Sequence, residues 1–436
     1  MRNRFAMCLL VAVLVFTLTL TACGPAAAPP AEKKPATPAP APEVKIGAMY
    51  PLSGPQAPTG LDLKNGVELA TEIINGEYPD LNMPLAKTKG LPNLNNAKLT
   101  VVYGDHQAAP EKGMSEAERL YTEAKVVGIV GCYNSGVTAT ASQVAERLGK
   151  PFLNPDSVSP SLITRGFKWF FRLTPDDKMF TENMFKFLED LATKKNQKVS
   201  TIAILNENTL WGQDFAAVAE QMAKAKGYKV VEHIVYPANT SEVTAEVQKL
   251  KRANPDVILQ ASYVSDSILF IKTFKEQGYT PKGLLANAAG AVDVAFVKTL
   301  GKDAEYVITR SVWSEDLLKV RPVANTVNEM YKKKYGTNMN ENSARSFTGT
   351  IVLADAINRA KSTDPEAIKK AILETTMSGD QLVLAWDGVK FDPSNGQNTL
   401  GRAIMVQIQG GKYVTVWPFE VKAADLIWPL PAWTKR

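Results

Sequence analysis

The stretch "VVGIVGCYNSGVTATASQVAERLG" (126–149) changes its hydrophobic pattern part-way along. Residues 126–131 form a short, continuous apolar run, which is typical of a buried strand. From Ser135 onward the apolar residues recur at helical spacing. A strand that leads directly into a helix predicts one unit of a parallel sheet with helices on its faces. Ligands of such sheets bind beyond the carboxyl ends of the strands, so this junction is the first candidate for a site.

Ser135 is the first residue of the predicted helix. Its hydroxyl and the free backbone N–H groups of the first turn can together bind a carboxylate. The alternative is that Ser135 only caps its own helix, which serine does routinely. We favour ligand contact because the end of a strand and the start of a helix coincide at this residue.

The alternation of strands and helices continues on both sides of this stretch and begins again after Asp176. The segment 79–97 is predicted to be an insertion between two strand–helix units. There are more strand–helix units than one sheet holds, so we expect an α/β protein with two lobes. The predicted strands are 44–50, 98–104, 126–131, 200–206, 229–236 and 256–262; the helices after Asp176 are 177–194, 212–226, 241–253 and 264–277; further units fall near 283–287, 305–309 and 344–360; and strands and a hairpin at Gly410-Gly411 follow Met377.

The N-terminus has the features of an export signal. Arg2 and Arg4 precede an uncharged run over 5–22, and Leu20-Thr21-Ala22-Cys23 resembles the bacterial lipobox, in which the cysteine becomes the lipidated first residue of the mature chain. A transmembrane anchor is the alternative, since the run has about the minimum length that spans a bilayer. The cysteine junction favours a signal peptide over 1–22 and a membrane anchor at Cys23.

The segment 23–43 reads as a tether. Residues 24–43 contain seven Pro and seven Ala, which favour an extended and solvated chain. At roughly 3 Å per residue such a tether reaches about 60 Å from the membrane.

Composition excludes several classes of function. The net charge is +6, and the 50 basic and 44 acidic residues are interspersed without a basic stripe, so nucleic acid is not an expected partner. Of the three cysteines, Cys8 leaves with the signal and Cys23 is lipidated. Cys132 is then expected to be a buried, small hydrophobic residue, and the core has no internal disulfide.

Catalytic motifs are missing from the chain. It has no GxGxxG, GxxxxGK[ST] or GxSxG pattern, and its two histidines, His106 and His233, are not at metal-ligand spacing. We therefore expect neither an enzyme nor a bound metal or cofactor.

Four stretches in register resemble the leucine/isoleucine/valine-binding family of ABC-transporter solute receptors, the type I periplasmic binding proteins. The resemblance covers about residues 44–420 and implies two α/β lobes joined by three crossovers that form a hinge, near Phe171-Arg172, 286–290 and 376–390. It implies a first lobe of 44–172 and 287–376, a second lobe of 173–286 and 377–420, and a C-terminal tail of 421–436. The stretches are "IGAMYPLSGPQAPTG" (46–60), "VVYGDHQAAPEKGMSEAERL" (101–120), "VVGIVGCYNSGVTATASQVAERLGKPFLNP" (126–155) and "AILNENTLWGQDF" (203–215).

The same resemblance implies a set of ligand-binding residues. Ser135 matches the serine that holds the ligand carboxylate, and Asp156 and Ser157 match positions that give main-chain contacts. Val158 departs from a threonine of the amino-acid receptors, and Trp211 falls at a tyrosine that covers the ligand from the second lobe. The predicted set is Thr59, Tyr133, Asn134, Ser135, Asp156, Ser157, Val158, Trp211, Tyr263 and Asn287.

One departure from the family concerns charge. Amino-acid receptors place a glutamate of the second lobe against the ligand ammonium, whereas the matching segment "LLANAAGAVD" (284–293) offers Asn287 and two alanines. Because a buried ammonium needs a partner, either Asp156 or Asp293 supplies that charge or the ligand is not an α-amino acid. We expect leucine, isoleucine and valine to bind more weakly than a carboxylate or amide that lacks the α-amino group.

The resemblance implies a receptor that closes on a small ligand (an amino acid, an amide or a small carboxylate) and delivers it to ABC permease and ATPase subunits. The lipidated Cys23 would hold it on the cell membrane, facing the periplasm or the exterior. The first alternative is a ligand-sensing lipoprotein of the same fold that acts in signalling. An exported α/β enzyme is the second, disfavoured by the missing motifs.

We predict that Cys23→Ser abolishes acyl labelling of the chain and releases or stalls its precursor, because the thiol is the only site for the anchor in the lipobox. Metabolic labelling with a radioactive or alkynyl fatty acid measures this. Unchanged labelling of the variant would contradict the lipoprotein interpretation.

Overall fold

The computed structural model describes residues 42–436. The predicted signal peptide, Cys23 and all but the last two residues of the tether lie outside this range. Within it, no helix is both long enough and apolar enough to cross a membrane.

The described chain alternates strands and helices as the sequence predicts. The strands are β1 (Glu43–Tyr50), β2 (Lys98–Asp105), β3 (Ile129–Gly131), β4 (Phe152–Asn154), β5 (Phe170–Arg172), β6 (Thr201–Glu207), β7 (Lys229–Tyr236), β8 (Val257–Ala261), β9 (Leu284–Ala286), β10 (Ile308–Ser311), β11 (Thr376–Ser378), β12 (Gly388–Lys390), β13 (Ile404–Gln409) and β14 (Lys412–Trp417). The helices are α1 (Ala57–Asn75), α2 (Pro110–Thr122), α3 (Ser135–Leu148), α4 (Asp177–Lys195), α5 (Leu210–Ala225), α6 (Thr244–Ala253), α7 (Val264–Glu276), α8 (Val294–Leu300), α9 (Pro322–Tyr335), α10 (Glu341–Ala360) and α11 (Pro365–Leu373).

The first lobe is built on a parallel sheet with the strand order β2-β1-β3-β4-β5. Helices α1 and α10 pack on one face, and α2 and α3 cover the other. Strands β3, β4 and β5 are buried at every residue, which explains their short and largely apolar sequences. Cys132 lies fully buried in the core under α2 and α3, as predicted.

The second lobe is built on a sheet with the order β14-β13-β10-β9-β8-β6-β7. Its strands β6 to β10 are parallel, and the hairpin β13–β14 adds to β10 antiparallel. Side chains of α4 and α5 join the core on one face, and those of α6 and α7 join the core on the other. The C-terminal tail contacts this lobe through a hydrogen bond from the Trp433 indole to the Tyr279 carbonyl at 2.9 Å.

The predicted return to the first lobe at residue 287 is wrong. Strand β10 pairs parallel with β9, with Ile308 opposite Leu285, so residues 287–311 belong to the second lobe. The sequence predicts a unit near 305–309, but the pairing of β10 with β9 is a long-range contact that local pattern does not contain. Only β13 and β14 of the predicted segment 377–420 join the second sheet, because β11 and β12 pair with each other.

Three connections pass between the lobes. The first follows β5, the second follows β10, and the third precedes β13, later in the chain than the predicted crossing at 376–390. The first and third are in contact, since the backbone N–H of Asn398 donates to the carbonyl of Arg172 at 2.8 Å. The second is held by a hydrogen bond from the N–H of Ala385 to the carbonyl of Val312.

Helix α10 begins at a well-formed cap. The Asn340 side chain accepts hydrogen bonds from the backbone N–H groups of Asn342 and Ser343, and the Ser343 hydroxyl accepts one from the N–H of Asn340. This reciprocal arrangement satisfies donors that a helix start leaves unpaired. It fixes the first two turns of α10, which carry Glu341 and Arg345 toward the space between the lobes.

Candidate functional site

A cavity lies between the lobes. About 20 Å³ of its interior is free, and the space among its walls, counting the part that opens to solvent, measures about 260 Å³. Its lining comprises Tyr133, Ser135, Asp156, Val158 and Arg345 of the first lobe and Trp211, Tyr263, Ala289 and Arg310 of the second. Six of the ten predicted site residues therefore lie at one cavity.

Ser135 is at the cavity as the first residue of α3. Its Oγ accepts a hydrogen bond from the N–H of Ser159 at 3.4 Å, so the hydroxyl proton remains available to another acceptor. The preceding residue, Asn134, makes no side-chain cap to the helix. The first-turn N–H groups are thus not used by a cap, and this end of the cavity favours an acceptor or anionic group.

Aromatic rings form another side of the cavity. Tyr133 of the first lobe and Tyr263 of the second have ring centroids 5.8 Å apart, and Trp211 lies 4.9 Å from Tyr263. Trp211 lies in the first turn of α5 and is only 3% exposed. Its indole N–H makes no hydrogen bond within 42–436. These faces suit a flat or apolar ligand.

Glu207 holds Trp211 in place from the end of β6. Its carboxylate accepts hydrogen bonds from the backbone N–H and hydroxyl of Thr209 and from the N–H of Gly212 at 2.9 Å. A side chain at Gly212 would place its Cβ about 2.0 Å from the Glu207 carbonyl oxygen. Only glycine therefore permits this close turn beside Trp211.

Arg310 reaches the cavity from β10. Its Nε donates to Asn287 Oδ1 at 2.9 Å, its Nη1 donates to Glu341 Oε1 at 2.8 Å, and its guanidinium carbon lies 3.7 Å from the Phe180 ring centroid. Burial lowers the pKa of Arg310, while the charges of Glu341 and Asp177 oppose this effect. With Nε and Nη1 engaged by the protein, the Nη2 group is left to donate to a ligand.

A buried carboxylate, Glu341, pairs with both arginines of the cavity. Besides its bond to Arg310, its Oε1 lies 3.3 Å from Nη1 of Arg345. Its Oε2 accepts from the N–H of Val312 at 3.1 Å, in the connection after β10. All three charged side chains are at most 2% exposed. Because buried charges require partners, Glu341 is what permits two guanidinium groups to line so small a space.

Asp156 lines the cavity in the loop after β4. Neither of its carboxylate oxygens makes a hydrogen bond within the described chain, although Nε of Arg345 lies 3.5 Å from Oδ1 and the Tyr50 hydroxyl is adjacent. Burial raises the pKa of Asp156 to about 7, and the charge of Arg345 opposes this rise. A buried carboxylate with so few partners is a group that a ligand can satisfy.

Four predicted residues are absent from the cavity lining, as far as residues 42–436 define it. Asn134 donates to Gln56 at 2.8 Å, and the Ser157 hydroxyl bonds the carbonyl of Cys132 at 2.9 Å. Thr59 donates to Asp293 across the lobes. Asn287 lies behind the cavity, where it donates to Asp177 at 2.9 Å and accepts from Arg310, as described above.

The two carboxylates considered for an ammonium partner differ in position. Asp293 accepts hydrogen bonds from Thr59 and from the N–H of Ala295 at the start of α8, and it is not among the lining residues. Asp156 is at the cavity and carries unused acceptor capacity.

Arg310 and Arg345 were missed from the sequence, although a signal was present for Arg310. Charged residues are rarely buried unless paired, and Arg310 lies in the mostly apolar run "VITRSVW" (307–313), whereas the neighbours of Arg345 are mostly polar and give no such signal. The sequence predicts a unit near 305–309, which ends before Arg310. The observed β10 has Arg310 as its third residue.

The two histidines lie outside the cavity lining. No group of three or more His, Cys, Asp or Glu side chains within 42–436 is placed to hold a metal ion. His106 is fully buried, and burial lowers its pKa to about 3, while His233 bonds Glu220 at 2.7 Å and Asn206 at 2.9 Å on the second lobe.

Comparisons with known proteins agree with this geometry. The sequence profile described as "Periplasmic binding protein" matches residues 43–412. The Leu/Ile/Val-binding protein homolog 7 of Brucella suis is 31% identical over 394 residues, covering 89% of this chain and 94% of that protein. The chain belongs to the periplasmic binding protein family. A second relative, Leu/Ile/Val-binding protein homolog 8 of Brucella abortus, is 29% identical and covers 88% of this chain and 93% of that protein.

Solved structures of periplasmic binding proteins share the two-lobed fold. The branched-chain amino acid transporter substrate-binding protein LivJ of Streptococcus pneumoniae, solved with isoleucine, has a TM-score of 0.72 at 20% identity, covering 89% of this chain and 100% of that chain. A solute-binding protein of R. palustris, solved with benzoate, has a TM-score of 0.71 at 16% identity, covering 86% and 95%. The resemblance to the leucine/isoleucine/valine-binding family and the type I fold are thereby confirmed.

We predict that Glu341→Gln destabilises this periplasmic binding protein by about 3–5 kcal/mol, because it leaves two buried arginines short of a charge partner. Urea unfolding measures the change. The control is Glu366→Gln, whose side chain is 67% exposed beside Lys369, and we expect it to change stability by less than about 0.5 kcal/mol. Equal effects of the two substitutions would contradict the role of Glu341.

We predict that Asp156→Asn stabilises the ligand-free protein relative to wild type more at pH 8 than at pH 5. The pKa of Asp156 is higher in the folded state than in the unfolded chain, so wild-type stability falls as the pH rises toward about 7. The substitution removes this pH-dependent loss of stability. Unfolding curves of both proteins at pH 5 and pH 8 measure the difference in their free energies of unfolding.

The matched control for this measurement is Asp256→Asn. Burial alone would raise the pKa of Asp256, but hydrogen bonds from Lys282, Ser200 and Thr201 lower it, so the group stays ionised from pH 5 to 8. Its substitution is expected to have the same effect at both values. A pH-independent effect of Asp156→Asn would show that the carboxyl titrates below this range.

Proposed function

We propose that this protein is the extracytoplasmic receptor of an ABC importer, which closes on a small organic solute and presents it to permease and ATPase subunits. The observation that carries the proposal is the cavity between the lobes, where Ser135 at the start of α3 faces the aromatic rings of the other lobe. Relatives named as Leu/Ile/Val-binding protein homologues support the importer role.

Contacts between the lobes support a closing mechanism. Thr59 of the first lobe donates to Asp293 of the second, and the N–H of Ser161 donates to Asp214 of α5 at 3.3 Å. These contacts lie on segments that only meet when the lobes are together. A ligand that touches both lobes stabilises that arrangement over an open one, so binding shifts the population toward the closed state.

The side chains at the cavity support a ligand with an acceptor group at the Ser135 end and an apolar or flat body. Val158 offers no hydroxyl, and of the residues 42–436 the second lobe contributes the cation Arg310 and no carboxylate to the cavity lining. A ligand ammonium beside Arg310 would be repelled. We therefore propose a small carboxylate or amide without an α-amino group, and anchoring of the receptor through lipidated Cys23.

We predict that 4-methylpentanoate, the deaminated analogue of leucine, binds more tightly than leucine itself. Isothermal titration with both compounds measures this directly. Submicromolar leucine binding that is lost in Asp156→Asn would contradict the proposed ligand class and make Asp156 the ammonium partner.

We predict that Ser135→Ala weakens binding of 4-methylpentanoate by about 1–3 kcal/mol, since the ligand's charged acceptor loses one donor. Ser142→Ala is the control, because Ser142 lies on the same helix but outside the cavity lining. Equal affinities of wild type and both variants would leave Ser135 as a helix-start residue without a ligand role.

A further inference from the structure

Two side chains of the first lobe present unused, opposite hydrogen-bonding groups next to each other at the cavity. The carboxylate of Asp156 can only accept, and the Nε–H of Arg345 can only donate. Their nearest atoms, Oδ1 and Nε, are 3.5 Å apart, and neither makes a hydrogen bond within the described chain. Both side chains are nearly inaccessible to bulk solvent, so water cannot readily satisfy them.

The other groups of Arg345 are already engaged by the protein. Its Nη1 donates to the backbone carbonyl of Asp156 at 3.1 Å and faces Glu341, and its Nη2 lies 3.4 Å from Asn342 Oδ1. Nε is therefore the nitrogen of Arg345 from which no group of the described chain accepts, and it lies beside the Asp156 carboxylate. A ligand group that fits here must accept from Nε–H and donate to Oδ1 or Oδ2.

We propose that the Asp156–Arg345 pair recognises a neutral carboxamide or urea-type group of the ligand. Such a group has a carbonyl oxygen and an N–H on the same planar unit, so it can accept from Arg345 and donate to Asp156 at the same time. Its dipole lies along the field of the ion pair. This inference rests on the proposed receptor function and names the chemical class of its solute.

The two charged alternatives fit less well. A carboxylate at this point would be placed beside the Asp156 carboxylate, and an ammonium would be placed beside the Arg345 guanidinium. Each of these two charged groups would gain one hydrogen-bonding partner but would also lie next to a group of the same charge. The neutral amide leaves no buried donor or acceptor of the pair unsatisfied. Discrimination between similar solutes is largest when the wrong solute leaves such a group unpaired.

Both residues belong to the first lobe, so this recognition does not need closure. The second lobe then adds Trp211 and Tyr263 over the ligand body and Arg310 toward a further acceptor oxygen. The first lobe can thus bind the polar group of the solute before the lobes close on it.

The test compares matched probes that differ in one group, by isothermal titration at pH 8 with the full chain. One series is succinamate, succinate and 4-aminobutanoate, and the other is benzamide, benzoate and benzylamine. We expect the amide of at least one series to bind at least tenfold more tightly than its carboxylate and its amine. Tighter binding of a carboxylate or an amine in both series, or no binding by any of the six, would overturn the proposal.

The variant Asp156→Asn makes the test independent of folding. It removes the charge that opposes a carboxylate, so the amide should lose affinity and the matching carboxylate should gain it, reversing the order of the pair. A misfolded variant would lose both. An unchanged amide-to-carboxylate ratio would overturn the role of Asp156.

Asp293→Asn is the companion variant, since Asp293 is a buried carboxylate outside the cavity lining. It should change both affinities together and keep their ratio. If 4-methylpentanoate or another non-amide solute binds tightly while all six probes fail, the receptor function stands and only the amide inference falls.

Discussion

The polarity of the site depends on one buried carboxylate. Glu341 pairs with Arg310 from the second lobe and Arg345 from the first, and it also accepts from the backbone of the connection after β10. Two guanidinium groups could not otherwise lie at the edge of so small a cavity, because each would lose its hydration without a counter-charge. The arginines are therefore fixed features of the cavity, and the ligand must be compatible with them.

Glu341 also relates the cavity to the hinge. It lies at the start of α10, held by the Asn340 cap, and bonds the chain where it leaves the second sheet. The orientation of Arg345 toward Asp156 follows from the same contacts. Ser135 and the aromatic rings complete the cavity from both lobes, so a ligand contacts all of these side chains only when the lobes are together. This arrangement suits the binding and release of a ligand.

Local pattern predicted most of the fold, and long-range pairing accounts for the failures. Apolar runs and helical spacing placed most strands of the two sheets and the helices α4 to α7 within a few residues, because the parallel strands are buried on both faces. The helices α8, α9 and α11 were not predicted. The predicted unit near 305–309 lies too early in the chain for β10 (Ile308–Ser311). The lobe boundary was therefore misplaced, and Arg310 was not recognised as a cavity residue. Ser135, Tyr263 and Asp156 could be named from strand ends and family resemblance. The pairing of Arg345 with Glu341 could not, since it depends on where α10 packs, and Asn287 proved to support Arg310 from behind the cavity.

The central claim is that a first-lobe ion pair, held by Glu341, selects the solute. Mass spectrometry of small molecules released by denaturing the purified full-length protein tests it most directly, without a choice of probes. The account predicts one dominant small molecule, near one per chain, that contains a carboxamide or urea-type group. Release of leucine, isoleucine or valine, or of any amine or carboxylate without such a group, would contradict it.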